Sequence, residues 1–386
     1  MTEDLGDITG RGTRGDGRLR VLGVGDGKSL VFLRWAWRLA ELGHDVHFVS
    51  DRITDRPSEL ETVTAHDIRE TLPPWTRIKG IRRFGFPAGI GRLARELDVD
   101  LVHGHYLLPY GYWAAQAGFH PLVMSPWNTD IFTYGRERRR GRKWVRRAIA
   151  AGDRYVVSSI GNAKETVRLG ADPSLVDRIV WYVDLRQFGP DKRNPRLHER
   201  FGWPEGSLIV LSLRNYRPNT NLDVLVRAFA RAHRDVPEAR LVLAARGGWT
   251  REETERLVDE LGLRDVVAFH FAAPEELPEL CASADVGVSI ASTDATPASM
   301  IESMASRLPM IMGDAITIDE WITQGEGGEV VHPRDEDGVY GALVKLLREP
   351  ELRRRYGERN ERVVRERLAE HPGVALERVY RELLRR

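Results

Sequence analysis

The sequence predicts an α/β chain of two doubly wound, Rossmann-like domains facing a cleft, and three observations predict it. Apolar runs of strand length alternate with amphipathic runs of helical period over residues 19–190, and the alternation restarts over 207–368. Strands that alternate with helices form parallel sheets covered by helices. Between the two series, Phe188–Gly206 (FGPDKRNPRLHERFGWPEG) collects glycines, prolines and charges, which is a linker signature. Finally, 386 residues exceed what one hydrophobic core usually serves, so two domains are the default. The pattern gives a polar, glycine-rich tail at 1–18, a first domain at 19–190, a linker at 191–206 and a second domain at 207–368. A C-terminal helix at 369–386 is expected to cross back to the first domain.

The first element is a strand at about Leu19–Val24, leading into Val21–Ser29, VLGVGDGKS. Gly-Lys-Ser ends a triphosphate-binding P-loop, but that loop needs a glycine at residue 22, where Leu22 stands. The dinucleotide fingerprint G-x-G-x-x-G needs a third glycine at residue 28, where Lys28 stands. What remains is a strand, a glycine turn, and a helix carrying Leu30, Leu33, Ala36, Leu39 and Leu42 that stops at Gly43 before the strand Val46–Val49. Glycine loops let a ligand approach the backbone and aim N–H groups at it, so Gly25, Asp26 and Gly27 are candidate contacts; a tight turn alone explains them equally well. Further along come a helix near Gly91–Leu97, a strand Leu101–His103, a helix near Gly111–Ala117 and a strand Pro121–Ser125. A basic helical stretch, a strand Arg154–Ser158, another helix and a strand near Arg178–Tyr182 complete the first series. The second series reads strand Leu208–Leu213, helix Asp223–Arg234, strand Ala239–Ala244, helix Arg251–Leu261, strand Val266–Phe269, a helix, strand Val286–Ser289 and a helix.

Composition narrows the function classes. The formal net charge of +1 gives no global pull toward nucleic acid. Lysine is confined to six positions and arginine supplies the rest of the basic charge, which reads as codon bias. The one cysteine, Cys281, excludes an internal disulfide and reads as a buried, inert thiol on an apolar helix. No signal peptide opens the chain and no apolar run reaches membrane-spanning length, so a cytoplasmic protein is expected. His103 and His105 face one side of a strand with no third ligand near them in sequence, so no metal is expected. The arginines of Gly135–Gly152, around Trp144, read as a solvated helix face; peripheral contact with an anionic membrane, or with a phosphorylated acceptor, is the other use.

In doubly wound sheets ligands bind beyond the carboxyl ends of the strands, so chemistry is sought in loops that follow strands. The most informative is Val286–Ile311. A strand ends near Ser289, a polar loop Ser292–Ala295 follows, Thr296 suits an N-cap and Pro297 the first helical position. Backbone N–H groups from Ala298 through Ser299 to Met300 then lack intrahelical partners and form an anion site. Asp294 and Glu302 flank it, and a carboxylate accepts two hydroxyl hydrogen bonds from a sugar or ribose diol. A capped helix with both acids facing water is the alternative at this point.

Asp294-x7-Glu302 followed by SMASRLP resembles the Glu-x7-Glu signature of retaining glycosyltransferases of the GT-B fold, family 4. The resemblance extends over nearly the whole chain: the opening strand, glycine loop and "LAELGHDVHFV" helix end, then DVDLVHGHY, VDLRQFGPD, and LIVLSLRNYRPNTNLDVLVRAFA as the first strand and helix of the nucleotide domain. It implies a nucleoside-diphosphate sugar held by the second domain as co-substrate, no cofactor or metal, and a small-molecule or lipid-linked acceptor held by the first. It assigns Glu302 to the donor ribose, Asp294 to the transferred sugar, Pro297–Met300 to sugar and diphosphate, and Arg214 to diphosphate charge. The base is placed near Phe269-His270-Phe271, with His270 as a contact, and His105 near the acceptor.

The sequence departs from the family in three places. Asp294 stands where the leading Glu is usual, one methylene shorter. The lysine usual after Arg214 is absent and Arg217 is offered in its place. Trp127 stands where a His is frequent, three residues before Asp130, and cannot act as a base; it can wall a sugar or acceptor site. Retention needs no protein base if the leaving phosphate oxygen takes the acceptor proton on the same face. The expected function is retaining, metal-independent sugar transfer, with a nucleotide-sugar epimerase or a non-catalytic nucleotide-sugar-binding protein as alternatives.

Overall fold

The computed structural model describes residues 17–53, 61–72, 82–135, 139–245, 247–294, 296–315 and 318–385. Residues 1–16 of the expected tail and 136–138 of the basic run lie outside them. The chain divides into two units, residues 1–182 with 370–386, and residues 183–369.

The first unit holds strands β1 (Arg20–Val24), β2 (Asp45–Ser50), β3 (Thr64–Asp67), β4 (Leu101–His105), β5 (Leu122–Ser125), β6 (Arg154–Val157) and β7 (Val176–Arg178). They form one parallel sheet in the order β3-β2-β1-β4-β5-β6-β7. Its helices are α1 (Leu30–Ala40), α2 (Arg82–Glu96), α3 (Tyr112–Gln116), α4 (Thr129–Phe132), α5 (Arg139–Ala150) and α6 (Ile160–Leu169). The second unit holds α7 (Leu197–Arg200), β8 (Leu208–Ser212), α8 (Leu222–Asp235), β9 (Ala239–Ala244), α9 (Arg251–Glu260), β10 (Val267–His270), α10 (Leu277–Ser283), β11 (Val286–Ser289), α11 (Ala298–Ala305), β12 (Met310–Gly313), β13 (Thr323–Gln324), β14 (Gly327–Val331), α12 (Glu336–Arg348) and α13 (Pro350–Arg367). Its parallel sheet runs β10-β9-β8-β11-β12-β14-β13. The last helix, α14 (Pro372–Leu384), returns to the first unit, where Trp35 Nε1 donates to Tyr380 Oη at 2.7 Å.

The central strands are buried along their length because helices cover both faces, as parallel sheets require. β4, β5, β11 and β12 are buried at every residue. In each sheet the chain builds outward through three strands and then returns to pair the fourth against the first. That places a switch point between β1 and β4 in one unit and between β8 and β11 in the other. Loops at such a point diverge and leave a crevice for ligands.

Two expectations are corrected. The strand expected near Arg178–Tyr182 is β7, which starts two residues earlier and ends at Arg178; Ile179–Tyr182 are buried without joining the sheet, and only the Ile179 N–H continues to Val157 O, at 2.8 Å. The expected linker 191–206 is packed within the second unit. Asn194 bonds Ser283 Oγ and Glu279 on α10, Leu197 is buried, and Trp203 Nε1 donates to Asp265 O at 3.0 Å. Its glycines and prolines turn the chain, while Leu197 and Trp203 anchor it. Among the described residues no helix is long and apolar enough to cross a membrane.

Candidate functional site

The site grows from the switch point of the second sheet. Arg214 lies two residues beyond β8 and Asp294 five beyond β11, the two strands that flank it. Arg214 Nη2 stands 2.7 Å from Asp294 Oδ2, with side-chain exposures of 16% and 14%, so the pair is screened from most of the solvent. Arg214 Nε is buried and has no hydrogen-bond partner among the described residues. The guanidinium therefore keeps donor capacity in hand, and a planar cation with spare donors suits a diphosphate.

Two asparagines bring these loops together. Asn221 adopts the left-handed conformation (φ 52°), which Asn tolerates better than most residues, and starts α8. Its Nδ2 donates to Ile290 O at 2.8 Å and Ser292 Oγ at 2.9 Å. Asn219 O accepts the Ser292 N–H at 2.9 Å. The loop after β8 is thus stitched to the loop after β11, fixing Arg214 against Asp294. These asparagines escape sequence reasoning; the one available signal was an Asn at the start of an apolar helical run.

Pro297 occupies the N-cap of α11 and Ala298 its first position, so Thr296 is not the cap and no side chain caps the helix. A proline at the cap position leaves the first turn without a side-chain acceptor. The N–H groups of Ala298 and Ser299 have no acceptor among the described residues, whereas Met300 N–H bonds Pro297 O at 3.1 Å. The expected anion site is therefore narrower by one group. Glu302 lies on the same helix and is buried (3% exposed).

The other second-unit expectations fall elsewhere. Arg217 stacks over Trp249, 5.2 Å from the ring centre. It lines a pocket of about 270 Å³ with Asp223, Thr250, Glu253 and Arg334 among its walls, and Arg214, Asp294 and Glu302 are not among its lining residues. His270 ends β10 with Nε2 3.3 Å from Glu276, whose carboxyl is held below its usual range chiefly by the Ala273 N–H. Phe269 packs against the core and Phe271 is exposed, so of the three residues Phe271 alone offers an open ring face.

In the first unit the geometry corrects several expectations. The glycine loop spends its own donors: Gly25 N–H goes to Val49 O (3.4 Å), Gly27 N–H to Ser50 Oγ (2.9 Å), Lys28 N–H to Asp26 Oδ1 (3.0 Å) and Ser29 N–H to Asp26 O (2.9 Å). Asp26 also pairs with Arg52 at 2.9 Å. The glycines serve packing, since a Cβ at Gly25 would lie 2.6 Å from the Phe32 ring and one at Gly27 2.6 Å from Arg52 O. Four of the loop's N–H groups are thus spent within the first unit.

His105 is fully buried, and neither ring nitrogen has a hydrogen-bond partner among the described residues. Phe32, Trp35, His103, Trp127 and Trp181 surround it at ring-centre distances of 5.0, 4.7, 4.0, 6.2 and 5.9 Å. Burial holds it neutral, with a pKa well below that of a free imidazole. A ring sealed in aromatic side chains reaches no acceptor, so His105 is a core residue. His103 beside it is bonded to Tyr380 Oη (2.6 Å) and Ser125 Oγ (2.8 Å), and burial pushes its pKa down to about 3. Asp130 is also buried and accepts the N–H groups of Leu107 (2.8 Å), Trp127 (3.1 Å) and Asn128 (2.8 Å). It organises the loop after β5. Trp127, half-buried, packs on Tyr106 at 5.7 Å. Cys281 is buried with its thiol pKa pushed up by burial, as an inert thiol should be. Among the described residues no group of three or more potential ligands could hold a metal ion.

Comparison with known proteins bears on the family and the fold. Residues 194–363 match the family model described as Glycosyl transferases group 1, and residues 20–159 that described as Glycosyl transferase 4-like. The chain is 25% identical to N-acetyl-alpha-D-glucosaminyl L-malate synthase of Bacillus anthracis over 93% of this chain and 94% of that one. It is 29% identical to D-inositol 3-phosphate glycosyltransferase of Thermomonospora curvata, over 86% and 85%. The structure of HepE from Anabaena in complex with UDP-glucose superposes with a TM-score of 0.78 at 16% identity, covering 95% of this chain and 99% of that one. One model matches each unit and the fold is shared along nearly the whole chain: it belongs to the glycosyl transferases group 1, the family 4 glycosyltransferases of the GT-B fold.

Proposed function

We propose that this protein transfers a sugar from a nucleoside-diphosphate sugar to a small-molecule acceptor with retention of configuration, without a bound metal. The observation that carries the reading is the Arg214–Asp294 pair at the switch point, in the unit that also bears the open N–H groups of Ala298 and Ser299. The diphosphate is taken by Arg214 and the α11 N-terminus, and both gain strength as charge builds on the leaving group. Asp294 accepts hydroxyls of the transferred sugar and Glu302 those of the ribose. Transfer breaks the bond from the anomeric carbon to the diphosphate oxygen and forms one to the acceptor oxygen on the same face. The acceptor proton passes to the departing phosphate oxygen, so no protein base is required. A small-molecule acceptor is favoured because two relatives are named for malate and inositol phosphate products or substrates.

Thermal unfolding with UDP, GDP, ADP, dTDP and CDP, each in excess, tests the reading. A diphosphate at about a hundred times its dissociation constant adds roughly 2.7 kcal/mol to the unit that binds it. For a unit of this size that raises Tm by about 2–4 °C per kcal/mol. One nucleotide should shift the curve in the wild type and not in Arg214→Ala. No shift with any of the five overturns the donor site.

A further inference from the structure

The Arg214–Asp294 pair does more than mark the site. The cation expected to hold the diphosphate already holds a carboxylate, at 2.7 Å and largely out of solvent. An anion arriving at Arg214 must either take the guanidinium from Asp294 or settle beside that carboxylate against its charge. Either way Asp294 opposes the anion. The buried Nε of Arg214, bonded to nothing described, shows that the carboxylate does not saturate the arginine, so exchange for a better acceptor is available. Asn221 and Asn219 hold the same loop at Ser292, two residues before Asp294. A displaced carboxylate is stabilised by hydrogen-bond donors that the incoming ligand brings.

We propose that Asp294 is the residue that distinguishes the sugar-loaded donor from the spent nucleoside diphosphate, by acting as an internal stand-in for the phosphate on Arg214. The inference rests on the donor reading above. A nucleotide sugar presents hydroxyls that donate to the displaced carboxylate, so the cost of breaking the ion pair is returned. The bare diphosphate presents none, leaves the carboxylate facing added negative charge, and is expelled as the pair re-forms. Asp294 thus favours loading before any bond is broken and aids product release afterwards, with one contact.

Titration calorimetry of the full chain tests this, using the nucleoside diphosphate that binds the wild type and its sugar form. In the wild type the sugar nucleotide should bind more tightly than the diphosphate. In Asp294→Asn the diphosphate should bind about tenfold more tightly, equivalent to about 1.4 kcal/mol, while the sugar nucleotide gains nothing. Asp223→Asn, which removes a charge from the pair with Arg334, should leave both affinities alone. A diphosphate affinity in Asp294→Asn within about twofold of wild type, or lower, overturns the inference and leaves the donor site standing. A wild type that binds the diphosphate more tightly than the sugar nucleotide overturns it without any variant. Failure of all five diphosphates to bind the wild type overturns the donor reading and the inference together.

Discussion

Replacing His105 with Leu separates packing from chemistry in the first unit. The imidazole is fully buried, neutral and without a hydrogen bond among the described residues, whereas in the unfolded chain it titrates near its ordinary value of about 6.5. Below that pH the unfolded state binds a proton that the folded state refuses, so stability is full above about pH 6.5 and falls as pH drops. At pH 5 the unfolded His105 is favoured by about 1.5 pH units, or about 2 kcal/mol, whatever the folded value, provided it lies well below 5. His103 has the same sign and adds a similar loss in both proteins. In a unit of this size 2 kcal/mol corresponds to about 4–8 °C in Tm. His105→Leu should therefore melt no lower than wild type at pH 8, since it removes two unpaired polar atoms at similar volume. Between pH 7 and 5 it should lose about 2 kcal/mol less. Scanning calorimetry over that range measures both, and sugar transfer measured at pH 8 should be unchanged. Parallel Tm-against-pH curves for the two proteins would show that the folded ring takes up protons. A stable variant that transfers sugar about a hundredfold more slowly would place His105 at the reaction after all.

Two further substitutions address the second unit. Asn221→Ala removes the bonds to Ile290 O and Ser292 Oγ and places a Cβ-bearing residue of poor left-handed tolerance at φ 52°. It should cost about 2–3 kcal/mol in denaturant unfolding, and Asn221→Gly, which keeps the backbone, about 1–2; equal stability of all three proteins would remove the stitching from the account. Glu302→Ala should weaken nucleotide binding in calorimetry by about tenfold or more, the scale of a charged hydrogen bond to a ribose diol. Unchanged affinity would take Glu302 out of the site.

The fold was legible where burial is two-sided. Leu208–Ser212, Ala239–Ala244 and Val286–Ser289 are apolar runs because helices cover both faces of the sheet, and that pressure writes the strand into the sequence. β3 carries no such mark. It reads TAHD, lies at the sheet edge with one neighbour and exposes Thr64, so its residues satisfy a single hydrogen-bonded ladder and little packing. The linker segment misled for the opposite reason. Its turns are local and read directly, but the burial of Leu197 and Trp203 depends on α10 and on Asp265, some sixty to ninety residues away.

The same division between local and distant causes separates the residues of the candidate site. Arg214 and Asp294 stand next to strand ends, and the switch-point rule makes residues there neighbours once the strand order is known; a sequence that specifies β8 and β11 nearly specifies their meeting. His105 also follows from a strand end, yet the outcome is inverted. Its neighbours Phe32, Trp35, Trp127 and Trp181 come from three separate places along the chain, and each is unremarkable alone. Together they close over the ring and turn a residue at a ligand-facing position into part of the core. The glycine loop is closed in a similar way, because the donors it would offer a phosphate go to Val49 and Ser50 of the adjacent strand. In this chain the carboxyl edge of the first sheet is filled by its own side chains at both the β1 and β4 loops. At the second sheet the corresponding loops hold a charged pair with an unspent donor. That asymmetry is a physical ground, separate from the relatives, for the proposal that the second unit takes the donor's diphosphate.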